Sequence, residues 1–140
     1  MISSIAVRTS SLTTGNAIVQ WYNGATGRVK TMEVGLIQAS NVVQSFGLGV
    51  PAALAGTPTA VVFLRDDPAD PASLVNSAIA WTTSPTAPTT YKRRSNTAAT
   101  TGVGIIWVFP RGFTMAINSA HTIHGITTMV ANDVHIVVDE

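Results

Sequence analysis

The chain has 140 residues, a length that fits one domain with a core of its own. It contains no cysteine, which excludes disulfides and thiolate metal sites. Charged residues make up 11% of the chain, against about 25% in an average soluble domain, and the net charge of +1 gives no bulk electrostatic support for a nucleic-acid partner.

The few charges are unevenly spread. No Asp, Glu, Lys or Arg occurs at 34–64, 71–91 or 112–132. Such neutral stretches favour an oligomer or assembly component, whose contact surfaces are depleted in charge, over a monomer kept soluble by hydroxyl groups. No secretory leader and no apolar span of transmembrane length is visible, so no membrane partner is predicted.

The hydrophobic pattern predicts an all-β chain. Strands are predicted at 4–9, 16–22, 28–40, 59–65, 101–109 and 133–138. In the third of these, Met32, Val34 and Leu36 share one face, opposite Thr31 and Glu33. The fifth is apolar at both odd and even positions, which predicts that its own core covers one face and something else the other. The last alternates cleanly, with Val134 and Ile136 among its inward residues.

Clusters of Gly, Pro, Asn and Asp separate these strands at spacings of about 10 to 15 residues, as in a sandwich or barrel of short strands. The segment 70–81 fits a helix or a strand, and a strand or loop is favoured because the Thr- and Pro-rich segment 82–90 offers nothing to complete a helix. Residues 1–11 are an N-terminal arm or a first edge strand, and residues 12–140 form the domain.

The sequence FGLGVPAALAG at 46–56 contains the G-x-G-x-x-[GA] pattern of dinucleotide-binding loops. Such a loop needs a following helix, and only 52–55 has helical character before Gly56 and Pro58. We therefore expect no cofactor here, and interpret 46–56 as a loop whose glycines adopt positive φ.

Asp66, Asp67 and Asp70 lie in the sequence RDDPADP. Three carboxylates could hold calcium, but Asp before Pro also begins turns, and an ordered surface turn is favoured. His121 and His124 are three residues apart, which on a strand places them on opposite faces, so no metal site is predicted from them.

Tyr91, Lys92, Arg93 and Arg94 form the one dense basic segment. Its alternatives are a solvated strand end, a contact to an acidic protein surface and a nucleic-acid contact. The last is not predicted, because three charges give only a weak, salt-sensitive interaction. No G-x-S-x-G, H-E-x-x-H or P-loop pattern is present, and one acidic residue precedes position 66, so no enzymatic function is predicted.

Four segments carry a resemblance to small virion proteins of tailed bacteriophages. They are EVGLIQASNVVQSFGLGVPAALAGTPT, DDPADPASLVNSAIAWTTSPTAPTTYKRR, GVGIIWVFPRGFTM and DVHIVVDE. The chain is similar to that family in an E-x-G-L strand, an FGLG-x-P loop, a DPADP-like turn, an AW-x-T-x-P segment and a W-x-[WF]-P-[RK]-G motif. Val50 is a departure, since Arg is expected there, so a charged role for that loop is not carried over.

The resemblance implies a single jelly-roll β-sandwich of about eight short antiparallel strands. It implies a homotrimer that decorates or cements the capsid at the virion surface, with the major capsid protein and itself as partners and no cofactor. On this basis Tyr91 to Arg94 are expected to meet the shell, and Phe109 and Arg111 to shape one edge. The alternative is a tail or fibre module that recognises a host glycan or surface protein, which the low aromatic content of 6% disfavours.

Overall fold

A computed structural model describes residues 1–12, 14–24, 27–54 and 57–140. Within these ranges the chain forms eleven β-strands and no helix. The strands are β1 (Ile2–Arg8), β2 (Ala17–Asn23), β3 (Val29–Gln38), β4 (Gln44–Gly49), β5 (Thr59–Val62), β6 (Leu64–Arg65), β7 (Val75–Ile79), β8 (Arg93–Thr97), β9 (Gly104–Met115), β10 (Ser119–Gly125) and β11 (Asn132–Asp139).

The strands form two antiparallel sheets that pack face to face. The five-stranded sheet has the order β6-β1-β11-β3-β9, and the six-stranded sheet has the order β5-β7-β2-β10-β4-β8. The prediction of an all-β sandwich is confirmed. The edge strands β9 and β8 lie on the same side of the sandwich, since Arg93 of β8 contacts the rings of Phe109 and Phe113 in β9.

Most predicted strands are confirmed with shifted ends. The runs at 4–9, 16–22, 28–40 and 133–138 correspond to β1, β2, β3 and β11, and the ambiguous segment 70–81 contains a strand, β7. In β11, Val134 and Ile136 are buried as expected. The run at 101–109 begins only at Gly104 and continues to Met115 as β9.

The run at 59–65 is not the single strand that was predicted. Phe63 is buried and divides it into β5, which pairs with β7, and β6, which pairs with β1 in the other sheet. A continuous apolar run shows where chain is buried, but it does not show that the chain changes sheets. Three strands lie in regions with no predicted strand: β4, β8 and β10.

The predicted alternation in β3 is wrong at its start. Thr31 was placed opposite the inward residues, yet it is fully buried, and Met32 is only partly buried. The cause is an extra residue in β3, Met32, which the pairing with β11 shows as a register shift: Val137 pairs with Glu33 and Val138 pairs with Thr31. Because side chains alternate with a period of two, such a shift reverses which residues face the core.

Of the two alternatives for residues 1–11, the structure has the strand, but β6 rather than this strand lies at the edge of the sheet. Ile2–Arg8 pairs with β11 along its whole length and with β6 at Ser3 and Ser4. The segment is thus integrated into the five-stranded sheet rather than extending from it as an arm.

The core between the sheets contains Trp21, Leu36, Phe46 and Trp107 together with the inward aliphatic residues. One hydroxyl links the sheets inside this apolar interior. The Trp21 indole N–H donates to Thr31 Oγ1 at 2.8 Å, and Thr31 Oγ1 lies 2.9 Å from His121 Nδ1. The indole can only donate, so the Thr31 hydroxyl accepts from Trp21 and shares a second hydrogen bond with His121 Nδ1.

The substitution Thr31→Val should lower the free energy of unfolding by about 3 kcal/mol, because it keeps the shape but leaves two buried polar atoms without a partner. Urea denaturation measures this change. The matched control is Thr114→Val, at an exposed position of the adjacent strand, which should change stability by less than about 0.5 kcal/mol. Equal effects of the two variants would contradict a role for the Thr31 link.

Candidate functional site

The six residues predicted to bind a partner lie along one edge of the sandwich in two groups: Lys92, Arg93, Phe109 and Arg111 lie together, whereas Arg94 contacts Tyr91 on the other face of β8. Tyr91 to Arg94 lead into β8, and Phe109 and Arg111 lie in β9. The Arg93 guanidinium carbon lies 5.6 Å from the centre of the Phe109 ring, and Arg111 lines the same groove, which has a volume of about 350 Å³. We call this surface the basic–aromatic edge. It comprises Tyr91, Lys92, Arg93, Arg94, Phe109, Arg111 and Phe113.

An irregularity in β9 builds the groove. Val108 pairs with Glu33 and Phe113 pairs with Thr31, so four residues of β9 lie opposite Met32 alone. Gly112, at φ +66°, allows the chain to turn back there. In a regular strand, residues four apart are about 13 Å apart. The bulge instead stacks the Phe109 and Phe113 rings with their centroids 4.2 Å apart.

Three cations of this edge lie over aromatic rings. The Lys92 ammonium is 5.4 Å from the centre of the Phe113 ring, Arg93 is 5.1 Å from the same ring, and Arg94 is 5.9 Å from the Tyr91 ring. At exposed sites each such contact contributes about 0.5–1 kcal/mol. The aromatic rings therefore hold the charges in place without neutralising them.

No carboxylate pairs with these cations in the described part of the chain. The ion pairs found there lie elsewhere: the Met1 amino group with Asp139, Arg8 with Asp133, and His135 with Glu33. Arg111 is exposed and takes part in none of the ring contacts. The basic–aromatic edge thus presents uncompensated positive charge beside apolar rings, an arrangement suited to an acidic protein surface.

The interpretation of 46–56 as a loop with positive-φ glycines is wrong. Phe46 to Gly49 belong to β4, and neither Gly47 nor Gly49 has a positive φ. Both residues instead leave room for the segment that leads to β8. A Cβ at Gly47 would overlap the Tyr91 ring, and a Cβ at Gly49 would lie 2.8 Å from Pro88 Cγ. No helix follows β4 within the described residues, and positions 55 and 56 lie outside them.

His121 lies directly beneath the basic–aromatic edge. Its ring makes edge contacts with Trp21, at a centroid distance of 5.8 Å, and with Phe113, at 6.3 Å. Burial lowers the pKa of His121 to about 4, and the nearby Lys92 charge acts in the same direction. The imidazole is therefore neutral near pH 7.

The other two histidines occupy different environments. His124 is also buried, but on the opposite face of β10, where its Nε2–H donates to the Pro85 carbonyl at 3.0 Å. Burial lowers the pKa of His124. His135 lies on the outer face of the five-stranded sheet, over Gly35, with Nε2 2.7 Å from Glu33 Oε1. The three side chains do not converge.

The three aspartates of 66–70 form a surface turn. Asp67 Oδ1 accepts a hydrogen bond from the Ala69 N–H at 2.9 Å, and the Asp70 N–H donates to the Asp67 carbonyl. Among the described residues no group of three or more His, Asp or Glu side chains is placed to hold a metal ion. The ordered surface turn is thus the arrangement found.

Sequence reasoning missed one member of the site, Phe113, and one residue beside it, Lys30. Phe113 stacks on Phe109 and contacts Lys92 and Arg93, and the motif FPRGF carries the only signal for it, a glycine between two aromatic residues. Lys30 packs its aliphatic part close to Gly112. Its position depends on the pairing of β3 with β9, which no local pattern encodes.

Comparison with protein-family models, curated proteins and solved structures found no match to this chain. Within the described ranges, no helix has the length and apolar character needed to cross a membrane. The class that the geometry defines is therefore an antiparallel β-sandwich with a basic–aromatic edge, and the family resemblance stays a prediction.

The substitution Gly47→Ala should destabilise the fold by about 2 kcal/mol, because the added methyl group must displace the Tyr91 ring. Urea denaturation of the variant in wild-type and Tyr91→Ala backgrounds tests this cause, and the cost should largely disappear when the ring is absent. Gly27→Ala is the control, since no atom lies near a Cβ at that position. An unchanged cost in the Tyr91→Ala background would contradict the proposed contact.

Stability should fall on acidification because of His121. Its pKa is about 4 in the folded state against 6.5 when unfolded, so the unfolded chain takes up the proton first. The free energy of unfolding should drop by about 3 kcal/mol as the pH falls from 7 to 4. His121→Gln should reduce the drop measured by urea denaturation at each pH by about 3 kcal/mol, and it should leave the further drop that the lowered pKa of His124 contributes. A variant that retains the full drop would show that other groups are responsible.

Proposed function

We propose that this chain is a non-enzymatic structural protein of a phage particle, which decorates or cements the capsid as a homotrimer bridging neighbouring capsomers. The observation that carries the proposal is the basic–aromatic edge. Lys92 and Arg93 lie over the Phe109 and Phe113 rings there, Arg94 lies over Tyr91 beside them, and these cations have no carboxylate partner among the described residues. Such a surface fits an acidic protein partner, either a further copy of the chain or the major capsid protein.

The strand order supports the jelly-roll interpretation. With β5, β6 and β7 set aside as an insertion, eight strands remain, ordered β1-β11-β3-β9 in one sheet and β2-β10-β4-β8 in the other. Counted along the chain, the first pairs with the eighth, the second with the seventh, the third with the sixth and the fourth with the fifth. A jelly roll has this pairing, because it is one long antiparallel hairpin whose paired strands are divided between two sheets.

The outer face of β9 supports a role within an assembly. Ile106 and Val108 are 56% and 60% exposed, while Trp107 and Phe109 on the inner face are buried. Together with the low charge content of 11%, exposed aliphatic side chains beside an edge strand suit a surface that another subunit covers. Bridging several capsomers at once would stabilise a shell through multivalency, without any chemical step.

The tryptophans weigh against the glycan-binding alternative. Trp21 and Trp107 are buried in the core, so neither is free to stack on a sugar ring. Trp81 is partly exposed, but it lies by a small groove with Thr82, Thr83 and Ser84 and no carboxylate. Carboxylates beside an exposed aromatic ring are what a glycan site would need.

Location in the particle tests the proposal. Immunogold labelling with an antibody against the chain should mark the head, and a whole-particle reconstruction should place three copies at a junction between capsomers. Labelling confined to tail fibres, or specific binding on a glycan array, would favour the alternative. The tail tip is the matched internal control, since it lies in the same images and should remain unlabelled.

A further inference from the structure

We infer that the two edges of the five-stranded sheet bind each other between copies of this chain. The basic–aromatic edge of one copy receives the acidic turn of the next, defined here as residues 66–70. This contact rests on the proposed function, in which the chain acts as a homotrimer, and it names the partner of the basic–aromatic edge.

The charges of the chain are segregated between these two edges. Lys92, Arg93, Arg94 and Arg111, which lie at the basic–aromatic edge, are four of the eight Lys and Arg residues. Four of the seven acidic residues lie at or near the opposite edge: Asp66, Asp67, Asp70 and Glu140. That edge also holds two cations, Arg65 and the Met1 amino group, so its net charge is negative.

The two compensating cations are already engaged. The Arg65 guanidinium donates to the Asp70 carbonyl, and the Met1 amino group lies 3.4 Å from Asp139 Oδ1. Asp66 and Asp67 have no ion-pair partner among the described residues and are exposed. They are the carboxylates available to a neighbouring copy.

The two charged surfaces lie at the same level of the sheet. The Asp66 N–H donates to the Ile2 carbonyl at 3.0 Å. Ile2 begins a row of cross-strand pairs, in which Ile2 is opposite Asp139, Asp139 is opposite Lys30, and Lys30 is opposite Thr114. The bulge that carries Arg111 adjoins Thr114 in β9. With four strand spacings between β6 and β9, the acidic turn and Arg111 are about 19 Å apart, too far to meet within one copy.

Each edge also exposes aliphatic side chains beside its charges. Val62 and Leu64 near the acidic turn are 75% and 71% exposed, comparable to Ile106 and Val108 near Arg111. Leu64 and Val108 lie at the two ends of one row of cross-strand pairs, which runs across the sheet through Ser4, Val137 and Glu33. Contact between the edges would therefore bury apolar surface on both sides and bring opposite charges together.

The geometry of the charges points to a head-to-tail contact. A two-fold axis through the basic–aromatic edge would place like charges against each other, which disfavours association. Joining two different, complementary edges is a heterologous contact, and such a contact closes into a ring when the rotation per copy allows it. A homotrimer is a ring of this kind.

A double-mutant cycle tests the contact. Arg111→Glu and Asp66→Lys, made separately, should each weaken self-association at least about tenfold. The double variant carries both reversals in one chain and restores opposite charges at every head-to-tail contact, so it should associate within about threefold of the wild type. Sedimentation velocity over a concentration series measures association, and circular dichroism checks that each variant is folded.

The control separates a local effect from net charge. Thr82→Glu/Thr83→Glu lies in an exposed loop away from both edges and changes the net charge by −2, as Arg111→Glu does, so it should associate like the wild type. The contact would be overturned if the single charge reversals left self-association unchanged. It would also be overturned if the double variant associated no more strongly than the single variants. A wild type that stays monomeric would overturn it as well.

The outcomes also separate this contact from the proposed function. Restored association of the double variant, with wild-type protein that does not bind particles, would uphold the contact and reject the capsid role. Binding of the wild type to the head, with no recovery in the double variant, would uphold the capsid role and assign the basic–aromatic edge to the shell instead.

Discussion

The structure depends on the burial of two sheet faces against each other, and the Thr31 hydroxyl is the polar link inside that apolar layer. It accepts from the Trp21 indole N–H and hydrogen-bonds to His121 Nδ1, so it satisfies two buried polar groups from the opposite sheet. The His121 ring in turn contacts Phe113, the ring over which Lys92 and Arg93 lie in the basic–aromatic edge. The inner packing and the outer surface are therefore physically continuous.

The basic–aromatic edge arises from a departure from regular strand pairing. Four residues of β9 oppose Met32, and the extra length folds outward and stacks two phenylalanine rings that a regular strand would hold apart. Arg93 extends across the open side of the sandwich and covers both rings. Aromatic and charged side chains thus cover the core between the edge strands β8 and β9. Their positive charge stays on the surface.

Much of the fold could be predicted because its strands alternate or carry β-branched runs, as β11 shows. The candidate residues at 91–94 could be identified from their charge density, and those at 109 and 111 from the family resemblance. The meeting of Arg93 with Phe109 and Arg111 at one groove could not, because it requires β8 and β9 to be edge strands of different sheets on the same side. The FGLG motif was misassigned to a loop for a related reason. Its glycines are needed for the Tyr91 ring, a contact between residues 44 positions apart.

By itself, the sequence determined what is set by local pattern and by composition: the β class, the short strands, and a surface poor in charge. Tertiary structure decided what depends on distant pairing. It placed Thr31 inward through a register shift, split 59–65 between two sheets, and set the acidic turn and the basic–aromatic edge at opposite ends of one sheet. The physical reason is that a strand's side-chain period is local, whereas its neighbours, register and edge position are chosen by the packing of the whole chain.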